Sequence, residues 1–349
     1  MLNRKNLILA IVLVVIVIAI VLLRNRMDLG SAERFESMRK APEFTGIHNW
    51  INSEPLKMEE LRGKVVLIDF WTYSCINCIR TLPFIKEWDE KYRDKGLVII
   101  GVHSPEFFFE KKIENVQESV NKFEIKYPIA MDNDFATWRA YDNHYWPHKF
   151  LVDKDGNIRY DHIGEGGYEE TEKVIQELLS ELGEEVEMET VKDPQKQLFP
   201  LTPELYAGYD FARQRFGNEE NYQPDKIVDY KIPNSFSDDI IYLSGRWFND
   251  KDNLRCEGEN CFIYLNFMAK SVNIVSSSEK DVRLEVTLND KMLDKNNKGY
   301  DIVFGNGKSI VNIKEARLYN LVGDQNKYGR YLLKIKADKG FAFNAFTFG

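Results

Sequence analysis

The stretch VVLIDFWTYSCINCIRTLP, residues 65–83, brings two cysteines together directly after an apolar run. Its first seven residues, VVLIDFW, are β-branched, apolar or aromatic apart from one aspartate, which predicts a buried strand. From Cys78 onward, apolar residues recur at helical spacing as far as Gly96, and Pro83 is expected to kink that helix. Cys75 is therefore predicted to lie between a strand and the first turn of a helix.

The Cys-x-x-Cys pair has three interpretations: a zinc site, a structural bridge or a redox pair. Zinc needs further ligands at suitable spacing, and the other two cysteines, Cys256 and Cys261, lie in a different predicted domain. A structural bridge from Cys75 to Cys78 would close so short a loop that it removes little entropy from the unfolded chain. A thiolate at Cys75 would face the unpaired N–H groups and positive end of a helix, and Cys78 could then attack a mixed disulfide. The placement favours redox exchange.

Beyond this pair, strands and helices alternate in the order βαβαβ and then ββα, which predicts a parallel sheet that gains an antiparallel hairpin. We assign this α/β domain to residues 41–183. Residues 184–225 are interpreted as a linker in which TPELYAGYDFARQRFG forms one short helix. Residues 226–349 contain about seven short strands separated by turn residues, which predicts an all-β sandwich.

The N-terminus predicts a membrane helix. After a short tail, residues 1–6, an unbroken apolar run covers residues 7–23, which is near the lower limit for spanning a bilayer. No small-x-small cleavage site follows it, so we expect an uncleaved signal anchor, with residues 24–40 as a polar tether. Lys and Arg are balanced on the two sides, and the orientation does not follow from charge.

Composition limits the function further. A net charge of −8 over 349 residues argues against a nucleic-acid partner. Four cysteines are too few for a disulfide scaffold. Cys256 and Cys261 flank a predicted hairpin loop, and we expect a structural disulfide there, with free thiols or a second redox pair as alternatives. No metal or cofactor is expected.

The cysteine stretch resembles the strand–Cys-x-x-Cys–helix unit of thioredoxins. Asp69 and Trp71 fall where thioredoxins carry an Asp and a Trp in that strand, and Pro83 matches the proline of the active-site helix. In YWPHKFLVDKDG, Pro147 fits the cis-proline that lies beside the cysteines. The long separation of Cys78 from Pro147 implies the helix-containing insert of the TlpA-like, membrane-linked branch.

The similarity extends over residues 45–349 to DipZ proteins. GVHSPEFFFE and IGEGGYEETE resemble their thioredoxin-like domain, and FAFNAFTFG resembles their β-rich C-terminal module. Many DipZ proteins begin with a multi-span, electron-carrying domain similar to CcdA. Because one span is predicted here, the resemblance implies a separate CcdA-like membrane electron donor.

The resemblance also implies roles for individual residues. Asp69, buried beneath the pair, would accept a proton from Cys78 directly or through water. Pro147 would cap the groove for a substrate backbone, with Trp146 and Trp71 as groove residues. Thioredoxins pair the Asp with a Lys on the adjacent strand. The strand LVIIGV has no Lys, so a different tuning of the aspartate is expected.

The favoured function is a membrane-anchored thiol–disulfide oxidoreductase that faces outward and reduces disulfides of protein substrates, since such clients are scarce in the cytosol. A thiol peroxidase is the alternative on the same fold; Thr72 fits it, but the proline that normally accompanies it is missing. A surface-binding protein is the third hypothesis. In that case the β-rich module, with Trp247 and Tyr264, would bind a glycan or dock a partner.

Overall fold

The computed structural model describes residues 39–186, 189–194, 201–211, 216–278, 281–323 and 325–349. The predicted membrane span, residues 7–23, lies outside the described residues, as do the N-terminal tail and most of the tether. Within the described ranges, no helix has the length and apolar character needed to cross a membrane.

The first domain is built on a six-stranded sheet with the order β1-β4-β3-β2-β5-β6. Its strands are β1 (Asn49–Ile51), β2 (Val65–Trp71), β3 (Leu97–His103), β4 (Ile129–Met131), β5 (His148–Val152) and β6 (Ile158–Ile163). Strands β2, β3 and β4 are parallel, and the β5–β6 hairpin joins β2 antiparallel, as predicted. Strand β1 adds an antiparallel edge on β4 that the sequence patterns did not indicate.

Among the described residues, four α-helices accompany this sheet: α1 (Ile76–Tyr92), α2 (Ile113–Lys122), α3 (Ala136–Ala140) and α4 (Tyr168–Ser180). All seven residues of β2 are buried, and the strand is central in the sheet, so the β2–α1 connection is held from both sides. Helix α1 contains Pro83 and is followed by Gly96 in the left-handed region at φ 100°. The thioredoxin-like fold class is confirmed.

The C-terminal part is a β-rich network of thirteen strands. They are β7 (Leu205–Tyr206), β8 (Ile227–Tyr230), β9 (Ile241–Asn249), β10 (Leu254–Cys256), β11 (Cys261–Ala269), β12 (Val272–Ser276), β13 (Val282–Leu288), β14 (Lys291–Met292), β15 (Val303–Gly305), β16 (Lys308–Ile313), β17 (Arg317–Val322), β18 (Gly329–Ala337) and β19 (Ala342–Phe348). The main path runs β15-β16-β13-β18-β11-β9-β10-β19-β12-β17. Twelve of these strands, β8 to β19, lie within residues 226–349, so the prediction of about seven strands there was too low.

The short helix predicted within residues 202–217 is wrong for the residues described there. Strand β7 occupies this place and pairs antiparallel with β19, with Leu205 opposite Phe346. Leu205 is only 1% exposed within the β-rich core. Pairing with a strand at the far end of the chain therefore outweighs the local helical tendency.

The β-rich region packs directly on the cysteine-bearing domain. Val275, Leu318 and Ala345 belong to the same apolar cluster as Cys75 and Cys78. Hydrogen bonds cross the boundary as well: Tyr73 Oη donates to the Ala316 carbonyl at 3.3 Å, the Phe108 N–H donates to Asp252 Oδ2 at 3.2 Å, and Tyr206 Oη donates to Glu106 Oε1 at 2.5 Å. The boundary between the two regions therefore lies at the redox pair.

Candidate functional site

Cys75 and Cys78 lie at the start of helix α1. Cys75 is the N-cap residue, and its Sγ accepts a hydrogen bond from the Cys78 N–H at 3.4 Å. The sulfur therefore occupies the helix end whose unpaired N–H groups and dipole stabilise negative charge. Cys75 is 8% exposed and Cys78 is 1% exposed, and no bridge joins them. The pair thus has a partly accessible first thiol and an enclosed second one.

Cys78 is held in the thiol form by its surroundings. Burial is the main reason that its pKa is raised well above the ordinary value, followed by the hydrogen bond and charge of Cys75 and then the charge of Asp69. A buried thiol of this kind needs a base before it can act as a nucleophile.

Asp69 supplies a carboxyl group beneath the cysteines. It is 1% exposed, and burial raises its pKa to about 7, against the opposing effect of the Lys149 charge. Its Oδ1 atom is buried and has no hydrogen-bond partner among the described residues. A carboxyl that titrates near neutral pH, with one oxygen unpaired, is suited to exchange protons with Cys78.

Lys149 corrects the expectation that Asp69 lacks a lysine partner. The neighbouring strand β3 carries no lysine, whereas Lys149 lies on β5, the other neighbour of β2, directly opposite Asp69 in register. It is fully buried, and its Nζ donates to the Gly164 carbonyl at 3.2 Å. Burial lowers the pKa of Lys149, while the Asp69 charge acts in the opposite direction. A lone Lys in the otherwise buried strand HKFLV was the signal that could have identified it.

The loop before β5 carries the predicted substrate groove. The Trp146–Pro147 peptide bond is cis, as expected, and Pro147 is buried. Trp146 is half-buried, its Nε1–H donates to the Ser104 carbonyl at 3.0 Å, and its ring lies 4.3 Å from that of Trp138. Trp146 is therefore fixed beside Pro147 with part of its surface open.

Trp71 does not fit its predicted place in the groove. It is fully buried at the end of β2, and its ring packs edge-on against His103 with 5.5 Å between the ring centroids. His103 is itself buried, which lowers its pKa to about 3 and keeps it neutral. Trp71 is thus part of the core that supports the β2–α1 connection.

Glu110 is a further site residue, one that the sequence patterns did not predict. Its carboxylate accepts hydrogen bonds from Ser74 Oγ at 2.6 Å, from the Ser74 N–H at 3.3 Å, and from the Glu106 and Phe107 N–H groups at 2.6 and 2.9 Å. Because Ser74 directly precedes Cys75, this buried carboxylate fixes the loop that presents the first thiol. In the sequence, Glu110 is marked only by its position between an aromatic run and a predicted helix.

The second cysteine pair is a disulfide. Cys256 and Cys261 are bonded with an S–S distance of 2.02 Å, and both are 0% exposed. They join the end of β10 to the start of β11 within the β-rich core. The expected bond is therefore present and the free-thiol alternative is wrong. Its structural role, as opposed to that of a second redox pair, stays a prediction.

The aromatic residues considered for glycan binding lie in the interior. Trp247 is 0% exposed and Tyr264 is 5% exposed. These two side chains therefore pack in the β-rich region, and the glycan prediction has no support from them.

Comparison with known proteins agrees with this geometry. A family model described as Redoxin matches residues 37–179, and one described as a thioredoxin-like C-terminal domain matches residues 202–349. Protein DipZ of Mycobacterium bovis is 40% identical over 251 residues, which are 70% of this chain and 36% of DipZ. The chain thus spans about a third of the length of that relative.

Two shorter relatives match the cysteine-bearing domain. The thiol-disulfide oxidoreductase YkuV of Bacillus subtilis is 32% identical over 140 residues, or 40% of this chain and 94% of YkuV. The thiol-disulfide oxidoreductase ResA of Bacillus cereus is 29% identical over 146 residues, or 42% of this chain and 80% of ResA.

The fold, the cysteine pair and these relatives define a thioredoxin-like enzyme. The chain belongs to the thioredoxin-like thiol–disulfide oxidoreductases, and its β-rich C-terminal domain matches the family model described as a thioredoxin-like C-terminal domain.

Proposed function

We propose that this protein is a membrane-anchored, extracytoplasmic reductase of protein disulfides that acts through Cys75 and Cys78. The observation that carries the proposal is the placement of Cys75 as the N-cap of α1, with the enclosed Cys78 one turn on. A nucleophile at the helix end and a resolving thiol behind it are what stepwise disulfide exchange requires.

The chemistry proceeds in two exchanges. The Cys75 thiolate attacks one sulfur of a substrate disulfide, forming a mixed disulfide and releasing the other sulfur as a thiolate, which takes up a proton. Cys78 then loses its proton to Asp69 and attacks Cys75, so that the Cys75–Cys78 disulfide forms and the second substrate sulfur leaves. The substrate gains two electrons and two protons, and a dithiol donor returns the enzyme to its reduced state.

Lys149 limits how strongly Asp69 holds a proton. Burial raises the pKa of Asp69, and the positive charge of Lys149 lowers it. The resulting pKa is about 7. Asp69 therefore exists in both forms near neutral pH, which suits a group that accepts a proton in one half-reaction and returns it in the other.

The location and the electron source rest on the sequence. The apolar run at residues 7–23 supports an anchor, and disulfide-bearing substrates support an outward orientation. A membrane electron donor of the CcdA type would supply the dithiol. We also propose that the thirteen-stranded region is a two-layer sandwich, since its strands share one large apolar cluster. Docking of partners is its proposed role, in place of glycan binding.

Two measurements test this function. The purified chain, with a dithiol as reductant, is expected to reduce a disulfide-bonded protein such as insulin, and its reduction potential should lie nearer the roughly −270 mV of thioredoxin than the roughly −120 mV of a strong oxidant. Consumption of hydrogen peroxide without reduction of a protein disulfide would support the thiol peroxidase. In intact cells, a membrane-impermeant thiol reagent should label Cys75; protection of Cys75 until the cells are lysed would contradict the outward orientation.

A further inference from the structure

One buried amide holds the loop that precedes the cis-proline. Asn143 is 1% exposed, and its Oδ1 accepts hydrogen bonds from the His144 N–H at 2.7 Å and from the Tyr145 N–H at 3.1 Å. Its Nδ2 donates to the Tyr145 carbonyl at 3.3 Å. We call residues 143–146, which lead directly to the cis-proline, the groove loop. The Asn143 side chain thus fixes the main chain of the groove loop.

His148 links this amide to the neighbouring strand. It is the first residue of β5 and is 5% exposed; its Nδ1 lies 2.8 Å from Asn143 Oδ1, and its Nε2 lies 3.0 Å from Asp161 Oδ2 on β6. An amide oxygen only accepts, so Nδ1 donates in the bond to Asn143. The His148 ring also lies 4.1 Å from the Phe150 ring. A continuous chain of contacts therefore runs from β6 through His148 to the groove loop.

The His148 ring stands between two acceptors, a carboxylate and an amide oxygen. A protonated ring can donate to both, whereas a neutral ring can donate to one. Burial lowers the pKa of His148, while the hydrogen bond and the charge of Asp161 raise it. The groove loop depends on the position of this ring, which the two contacts define, and not on a change in its charge.

Strand β5 separates this link from the cysteine chemistry. Successive residues of a strand point to opposite faces of the sheet. Lys149 lies opposite Asp69 in register and shares its face. His148 and Phe150 point the other way, and the Phe150 ring packs against Tyr141 with 5.3 Å between the centroids. Replacement of His148 should therefore leave the buried Asp69 and Lys149 in place.

We propose that Asn143 and His148 are positioning residues for the substrate groove: they hold the groove loop in one conformation, so that Tyr145 and Trp146 form a preorganised wall for a protein substrate. Tyr145 is 51% exposed and Trp146 is half-buried, so both offer aromatic surface. A loop that is ordered before binding does not lose entropy when the substrate binds, which favours affinity. Only the nature of the substrate, a protein disulfide, rests on the proposed function.

The test compares a protein disulfide with a small one in the reduced full chain. His148→Leu should raise KM for insulin at least about tenfold with kcat little changed, because the loop must then become ordered on binding. Its rate with 2,2′-dithiodipyridine, a small disulfide that needs no groove, should stay within about twofold of wild type. His148→Asn keeps a donor near the position of Nδ1 and should recover most of the affinity for insulin.

His48→Leu is the matched control, because His48 is an exposed histidine of the same domain whose Nε2 also lies near a carboxylate, 3.3 Å from Asp134 Oδ2. Its KM should equal that of wild type. Asp161→Ala removes only the contact on β6. Because the Asp161 side chain is 52% exposed, the fold should tolerate this change, and KM should rise about threefold.

An unchanged KM in His148→Leu, or in Asp161→Ala should the first variant fail to fold, would overturn the inference. An equal loss of rate with both disulfides would also overturn it, because the ring would then support the cysteines and not the groove. A wild-type chain that oxidises reduced insulin but does not reduce the disulfide form would refute the proposed reductase. The same comparison of KM, made in the oxidising direction, would still test the groove loop.

Discussion

The two cysteine pairs of this protein have the same side chain but different surroundings. The surroundings decide which chemistry each pair can perform. Cys75 and Cys78 stand at the end of a helix, unbridged, with the ionisable groups Asp69 and Lys149 beneath them. Cys256 and Cys261 are bridged between two strands in an apolar core. A thiol near a positive helix end and a titrating carboxyl is suited to exchange, whereas a sulfur with neither nearby is suited to a permanent bond.

Replacement of the cysteines should produce the largest difference in activity between the two pairs. We expect Cys75→Ser to reduce turnover of a protein disulfide at least about 1000-fold, because the nucleophile is lost. The double variant Cys256→Ser/Cys261→Ser should keep turnover near the wild-type rate at a temperature where it stays folded. Comparable losses in both variants would remove the distinction between an exchanging and a structural pair.

Asp69→Asn tests whether the buried carboxyl serves the exchanging pair. Release of substrate from a preformed mixed disulfide should slow about 100-fold at pH 8, since the base for Cys78 is absent. In wild type this rate should rise with pH through about 7, and the variant should lose that rise. Asp94→Asn, an exposed carboxylate just beyond α1, is the control and should behave as wild type. A wild-type pH profile in Asp69→Asn would exclude Asp69 as the base.

The same substitution should stabilise the fold at high pH. The folded-state pKa of Asp69 is raised from 3.8 to about 7, so the native state holds this proton more tightly, and stability is lost as pH rises between these values. Above pH 7 the cost approaches roughly 4 kcal/mol. Urea denaturation should show Asp69→Asn to be more stable than wild type at pH 8 and nearly equal at pH 4. Equal stability at both pH values would contradict the raised pKa.

Loss of the second pair should instead weaken the fold at all pH values. A disulfide across a sequence separation of 5 residues restricts a short loop, and its removal is expected to cost about 2 kcal/mol. Urea denaturation of Cys256→Ser/Cys261→Ser provides the measurement. A variant as stable as wild type would mean that this bridge has a purpose other than structural support.

Lys149→Met should produce the smallest change. The lysine charge lowers the pKa of Asp69, so its removal should shift the midpoint of the mixed-disulfide release rate upward from about 7, by on the order of 1 pH unit. Lys154→Met, at the end of the same hairpin, is the control. A midpoint that stays in place would show that Lys149 does not tune Asp69.

Local patterns predicted the parts of the site that are close in sequence. The strand, Cys75, Cys78 and the helix follow one another without interruption, and the resemblance to thioredoxins located Pro147. Lys149 was not predicted as the partner of Asp69, because this pairing depends on the register of β5 against β2. These two strands are far apart in the chain.

The domain boundary was harder to predict for the same reason. The segment around Tyr206 has helical character locally, yet it forms a strand because β19 offers it a partner. Tyr206 and Glu106 come into contact only when the two domains pack together, and no spacing along the chain indicates that contact. Tertiary contacts determined the structure of these segments, and local propensity carries no information about such contacts.

The most direct test of the account is to trap the first exchange. The Cys78→Ala chain, reduced and then mixed with a disulfide-bonded protein, should accumulate a covalent adduct joined through Cys75, because the thiol that resolves it is missing. Mass spectrometry should locate the new bond at Cys75, and the Cys75→Ser/Cys78→Ala control should form none. No adduct, or an adduct that persists in the control, would contradict the assignment of Cys75 as the attacking thiol.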